Sequence, residues 1–205
     1  MNTQQLNGEL GNIDLYLLDQ LLKGQIPKGQ NILDAGCGEG RNLIYFLNNG
    51  FDCYGVDQNE DAIRMLHFIL GSKYSQVSKA NFQLAQLENL PFQNGEFGFL
   101  ICSAVLHFAN DKVHFQEMFH ELVRVTQTHG IIFIRCASDI GLVGHESIGN
   151  GQYKLPDGSI RYLISNESIS ELKRDFKLSE VEPVKTVVVE KKRSMTTLVL
   201  KKEGS

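Results

Sequence analysis

The chain of 205 residues is 42% hydrophobic and 21% charged, enough to bury one sizeable core and short for two. Its formal net charge of −4 supplies no whole-molecule field toward nucleic acid or an anionic membrane. No basic stretch followed by an apolar one opens the sequence, and no apolar run approaches the ~18 residues of a membrane span, so a soluble, cytoplasmic domain is expected.

In chain order, residues 13–22 carry Leu15, Leu18, Leu21 and Leu22 at helical spacing, and Pro27 and Gly29 end that segment before the first strand. Residues 32–35 are a short apolar strand running into a turn with Gly36, Gly38 and Gly40. A crossover helix comes next at 41–49, then a strand at 51–56 ending in Asp57, and a helix at 61–70 with Ile63, Leu66, Ile69 and Leu70 on one side. A weaker strand spans 81–85, a fourth 97–103, a helix 112–126 with Val113, Met118, Leu122 and Val125 inward, and a fifth strand 130–136. Residues 138–164 are too long for an ordinary connection. After a helix beginning near Asn166, two β-rich runs at 176–189 and 195–201 flank a charged turn at Lys191, Lys192 and Arg193, which reads as an antiparallel hairpin.

Strands alternating with helices of this length predict an α/β fold, a Rossmann-like doubly wound sheet of about seven strands. It is mostly parallel, closes with an antiparallel C-terminal hairpin strand and carries helices on both faces. One domain, 1–205, divides into a helical cover (1–30), a cofactor-binding core (31–136), a substrate lid (138–165) and a C-terminal helix and hairpin (166–205). The cover is expected at the mouth of the site. Cys37, Cys53, Cys102 and Cys136 form no CxxC pair and suit a reducing compartment, with Cys37 steric in its turn. His114, His120 and His129 read as surface or core-edge residues without ligand spacing, so no metal is expected.

The glycine turn brings backbone against a small ligand, and Asp57, about twenty residues on, can accept both hydrogen bonds of a ribose diol. The spacing is not the G-x-G-x-x-G of a dinucleotide site, and Glu39 inside the loop would repel a pyrophosphate. Residues 33–40 resemble the first motif of class I S-adenosylmethionine-dependent methyltransferases. The extension through Arg41 and Asn42 to Gly50 is similar to the TehB-like and methyltransferase type 11-like members.

That resemblance implies S-adenosylmethionine as cofactor. Backbone of Ala35, Gly36, Cys37 and Gly38 would meet its methionyl part, Asp57 its ribose, and Asp34 the turn or the amino group through water. Arg41, Asn42 and Gln58 flank these motifs and join the set. Residues 87–92, beginning with Leu87, resemble the loop that holds adenine, with Gln86 just before them in the usual acidic place; a glutamine oxygen can still accept from the adenine amino group. Residues 100–108 resemble the fourth-strand motif, with Gly98 in place of an acid and the backbone carbonyls of Ser103 and Ala104 facing the cofactor's ammonium.

Methyl transfer from a sulfonium needs mainly alignment, and His107 is the candidate base should the acceptor carry a proton. The 138–164 segment is assigned to the acceptor. His145, Glu146, Tyr153 and Arg161 are polar groups able to face it, and Leu155-Pro156-Asp157-Gly158 is a turn. An arginine among tyrosines suits a small anionic or planar acceptor. The expected function is methyl transfer to a small molecule, with no nucleic-acid or membrane partner, as a monomer or dimer. A binding module that holds S-adenosylmethionine or S-adenosylhomocysteine without turnover is the alternative.

Overall fold

The computed structural model describes residues 2–26 and 28–204; Pro27, expected to punctuate the leading helix, lies outside them. The elements are α1 (Thr3–Leu10), α2 (Leu15–Leu22), β1 (Ile32–Ala35), α3 (Ile44–Asn48), β2 (Cys53–Asp57), α4 (Glu60–Lys73), β3 (Phe82–Leu84), β4 (Phe97–Ser103), α5 (Lys112–Val125) and β5 (Thr126–Ala137). Then come β6 (Glu146–Gly149), β7 (Gln152–Lys154), β8 (Ile160–Tyr162), α6 (Asn166–Asp175), β9 (Leu178–Glu180), β10 (Lys185–Val189) and β11 (Arg193–Lys202). The main sheet runs β10-β11-β5-β4-β1-β2-β3. β1 to β5 are mutually parallel, and β11 enters antiparallel between β5 and β10. β9 and β10 share the outer edge of β11, opposite Leu200–Lys202 and Arg193–Thr197 respectively, so the sheet is about seven strands wide.

Strand periodicity splits the core in two. Leu33, Leu100, Cys102, Ile132 and Ile134 join the cluster beneath α5 and α6. Their neighbours Ile32, Phe99, Ile101 and Phe133 join the cluster with α2, α3 and α4. Side chains alternate across a strand, so near-continuous apolar runs are what a sheet covered on both faces requires. Each fully buried phenylalanine here, such as Phe99 or Phe133, contributes about 1.5–3 kcal/mol by leaving water.

Two helix faces differ from expectation. α2 exposes Leu15 and Leu22 and buries Leu17 and Gln20, because polar anchors set its orientation. Asp14 caps it from a buried position, and Gln20 Nε2 donates to Glu182 Oε1 at 2.8 Å. In α5, Val113 is exposed, and Phe115, Met118, Phe119 and Leu122 face inward. α1 precedes α2 with a capping box from Asn2 and Gln5 and buries no residue, which left it without an apolar signature. At Gly98, where the sheet register shifts, a Cβ would come within 1.6 Å of Gln30 Oε1; Gln30 therefore lies over the place of the missing acid.

The long 138–164 segment forms its own three-stranded antiparallel sheet, β6-β7-β8, with Leu155 to Gly158 turning between β7 and β8. It is seated on the main domain. Tyr162 stacks on Phe115 with centroids 4.7 Å apart, and Gln152 Nε2 donates to the Ala109 carbonyl at 3.3 Å. Among the described residues no helix is long and apolar enough to cross a membrane.

Candidate active site

The turn after β1 is folded against β2 by its own backbone. Gly36 N and Cys37 N both donate to the Val56 carbonyl, at 2.8 and 2.9 Å. Gly36 has φ 86°, and a Cβ there would stand 2.3 Å from the Val105 side chain, so packing and conformation both demand glycine. At Gly38, nothing lies within 4 Å of a would-be Cβ, and the turn opens to free space. Asp57 is fixed from both oxygens: Gly38 N donates to Oδ2 and Asn59 N to Oδ1, each at 2.8 Å. Each oxygen keeps a further lone pair for a ligand.

Around this turn, at the C-terminal ends of the parallel strands, lies a cavity of about 330 Å³, the place where open α/β sheets bind ligands. Seven expected residues line it: Gly36, Arg41, Asp57, Gln58, Leu87, Ser103 and Ala104. Asp34, Ala35 and Cys37 are buried within and under the turn. Asn42 is buried too, its Oδ1 accepting from Asp14 N at 3.0 Å. Gln86 is exposed and absent from the lining. Glu88, Val105, Phe108, His114 and Met118 complete the wall without having been expected there. His114 and Met118 are four apart on α5, and that spacing was the available signal.

Two charged features mark the cavity. Asp34 has both carboxylate oxygens buried without a hydrogen-bond partner; burial pushes its pKa up to about 7, with Arg41 opposing and Asp57 adding. On the other side, Asp14 Oδ2 accepts from Arg135 Nη1 at 2.9 Å and from Ser103 Oγ at 3.0 Å. Arg41 reaches Ser103 Oγ at 3.5 Å and the Asn12 carbonyl at 3.2 Å. The segment before α2 is thereby tied to the cavity wall, Arg135 pairing with the buried Asp14 carboxylate and Arg41 holding the Asn12 carbonyl.

A second cavity of about 170 Å³ is lined by the turn between β7 and β8 and by Arg161 of β8, and shares Ala104 with the first. Ala104 has φ 65°, a left-handed conformation uncommon outside glycine. His107 lines this second cavity and not the first. It is buried, its Nδ1 accepts from Ala137 N at 3.3 Å, and burial, then Arg161 and Arg193, push its pKa down to about 4. Arg161 lies here as well, its guanidinium 4.7 Å from the centroid of Phe108, which lines the first cavity. His145 and Tyr153 pack on each other with centroids 5.0 Å apart and line neither cavity. Glu146 is exposed.

Among the described residues no group of three His, Cys, Asp or Glu could hold a metal ion. The four cysteines are free and buried, and burial pushes the Cys37 and Cys53 thiols up.

Residues 33–134, about half of the chain, match a family model described as a methyltransferase domain. An uncharacterized methyltransferase of Synechocystis is 33% identical over 82 residues, 40% of this chain and 35% of that protein. The probable S-adenosyl-L-methionine-dependent methyltransferase TehB of Haemophilus influenzae is 26% identical over 98 residues, 48% of this chain and 31% of its own length. The matched stretch thus spans about a third of these curated relatives. Among solved structures, a SAM-dependent methyltransferase of Methanosarcina mazei superposes with TM-score 0.71 at 17% identity over 90% of this chain and 98% of its own. PH0226 of Pyrococcus horikoshii superposes with TM-score 0.72 at 17% identity, covering 98% and 93%.

Proposed function

The chain belongs to the class I S-adenosylmethionine-dependent methyltransferases, and on that premise we propose that it transfers the cofactor's methyl group to a small molecule seated against the β6-β7-β8 flap. The observation that carries the reading is that the two cavities share a lining residue, Ala104. One holds the groups a nucleoside with a zwitterionic tail requires, and the other is lined in part by a segment outside the sheet.

The residues present fit the cofactor. Asp57, held at both oxygens by backbone N–H groups, accepts from the ribose diol. The orphaned carboxylate of Asp34 and the carbonyls of Ser103 and Ala104 favour an ammonium group, Asp34 acting from below through the turn. Arg41, on the lining, favours the carboxylate of the same tail. Leu87 and Gln58 flank the adenine, with Gln86 at the exposed rim of that loop. Cys37 and Ala35 shape the floor, and Asn42 holds the cover segment through Asp14. When bound, the cofactor supplies an electrophilic methyl group on a sulfonium with a neutral leaving group. The chain's contribution is alignment and exclusion of water by Val105, Phe108 and Met118.

Segments 1–30, 31–136, 138–165 and 166–205 serve as cover, cofactor core, lid and sheet edge in this reading, and the reduced cysteines suit the cytoplasm. A small acceptor is favoured by the 170 Å³ of the second cavity and the acidic net charge. The exposed Gln86 is the observation that favours a non-catalytic binding module instead. The test is incubation with methyl-labelled S-adenosylmethionine and a cell extract split by size. Label in the small-molecule fraction supports the reading, and label in RNA or protein overturns the acceptor class. Label in neither, with intact cofactor binding, favours the binding module.

A further inference from the structure

The second cavity is lined by apolar groups, Leu142, Leu155, Leu163 and Met195 among them, and by the hydrogen-bond donors His107, Arg161 and Arg193. His107 accepts through Nδ1, which leaves the hydrogen of its neutral ring on Nε2, and no protein group accepts from that nitrogen among the described residues. Arg161 donates once, from Nη1 to the Ile160 carbonyl. The Arg193 side chain makes no ion pair or hydrogen bond among the described residues, and the chain turns there, between β10 and β11, so as to set it at this cavity. The opposing charge is Asp157, whose Oδ1 is already engaged by Ser159 N and Oγ at 2.9 and 2.6 Å. Two guanidiniums against one committed carboxylate leave the wall with an excess of positive charge and unused donors.

We propose that this cavity is an acceptor subsite for a carboxylate, held by the Arg161 and Arg193 guanidiniums with the His107 Nε2–H as a third donor, so that the methyl acceptor is a small organic acid with an apolar body. A guanidinium matches a carboxylate in a planar, bidentate fashion that a lone ammonium cannot. Phe108 stands between the sites: it lies under Arg161 and lines the cofactor cavity. The assignment makes His107 a binding group and not a base. It rests on the methyl-transfer reading only for the word acceptor, since the subsite can be probed without turnover.

The probe is benzoate, with benzamide as its neutral isostere and inorganic phosphate as competitor, measured by saturation-transfer NMR on the full chain with and without S-adenosylhomocysteine. Benzoate is expected to bind at least tenfold more tightly than benzamide, and the R161Q/R193Q variant to lose at least tenfold of the benzoate affinity while keeping that for S-adenosylhomocysteine. R193Q alone, at an exposed position, is expected to lose a measurable part and keeps the test open should R161Q disturb the fold. Equal binding of benzoate and benzamide, undiminished benzoate binding in the double variant, or no benzoate signal from folded protein overturns the proposal. Tenfold stronger occupancy by phosphate overturns the carboxylate assignment. Loss of S-adenosylhomocysteine binding by the wild type, with benzoate still bound, would fault the cofactor reading and leave the subsite standing.

Discussion

The turn after β1 and the β6-β7-β8 flap both depend on glycines with positive φ, yet for different reasons. Gly36 and Gly158 have φ near +86° and +82°. A Cβ on Gly36 would strike Val105 at 2.3 Å, whereas around Gly158 nothing lies within 4 Å. Gly36 is fixed by packing as well as by backbone sign and Gly158 by backbone sign alone, although within the flap Gly151 is of the first kind, its would-be Cβ 2.4 Å from Tyr162. The same contrast runs through burial: β1 is buried at all four positions and β6 exposed at all four. The proposed cofactor half is thus built on buried strands, and the flap carries the exposed one.

Substitution of the two glycines breaks or sharpens that comparison most strongly. G36A is expected to cost about 3 kcal/mol of stability, from overpacking added to backbone strain, and to abolish cofactor binding. G158A should cost about 1 kcal/mol and leave cofactor binding intact. Denaturant melts read alongside S-adenosylhomocysteine affinity separate the two, and equal costs would remove the packing distinction.

Next in size is D57A, expected to weaken cofactor affinity by about 2 kcal/mol, the loss of charge-assisted hydrogen bonds in a part-buried site. Unchanged calorimetric affinity would refute the ribose assignment.

Asp34 and His107 supply a pH test of the buried floor. The folded pKa of Asp34, about 7, lies above its ordinary 3.8, so the native state holds the proton longer and loses stability as pH rises from about 4 to 7. D34N should therefore melt higher than wild type at pH 8, by about 2 kcal/mol, while binding the cofactor less tightly. An unchanged melt would mean the carboxylate finds partners in solution. His107 runs the other way. Its folded value, about 4, lies below 6.5, so its contribution is present above pH 6.5 and lost as pH falls toward 4. H107Q should flatten that acid limb by about 1 kcal/mol.

Legibility in the sequence divides along the same line. β4 at 97–103, the turn and Asp57 could be read because buried parallel strands and close backbone approach leave apolar runs and glycines in place. α1 could not, since it buries nothing, and the docking face of α2 was set by Asp14 and Gln20, polar contacts that periodicity does not register. The flap strands, exposed in β6, showed only their turn chemistry. His114 and Met118 entered the cavity wall through the angle of α5, which depends on tertiary packing. Gln86 matched a motif by position, and its exposure was invisible in sequence.

The central claim, that the glycine turn and Asp57 build a site for S-adenosylmethionine, is tested most directly by calorimetric titration of the purified protein. S-adenosylmethionine, S-adenosylhomocysteine and NAD would be titrated in parallel. The account predicts binding of both adenosyl ligands and none of NAD. Silence from both adenosyl ligands, or binding of NAD, would contradict it.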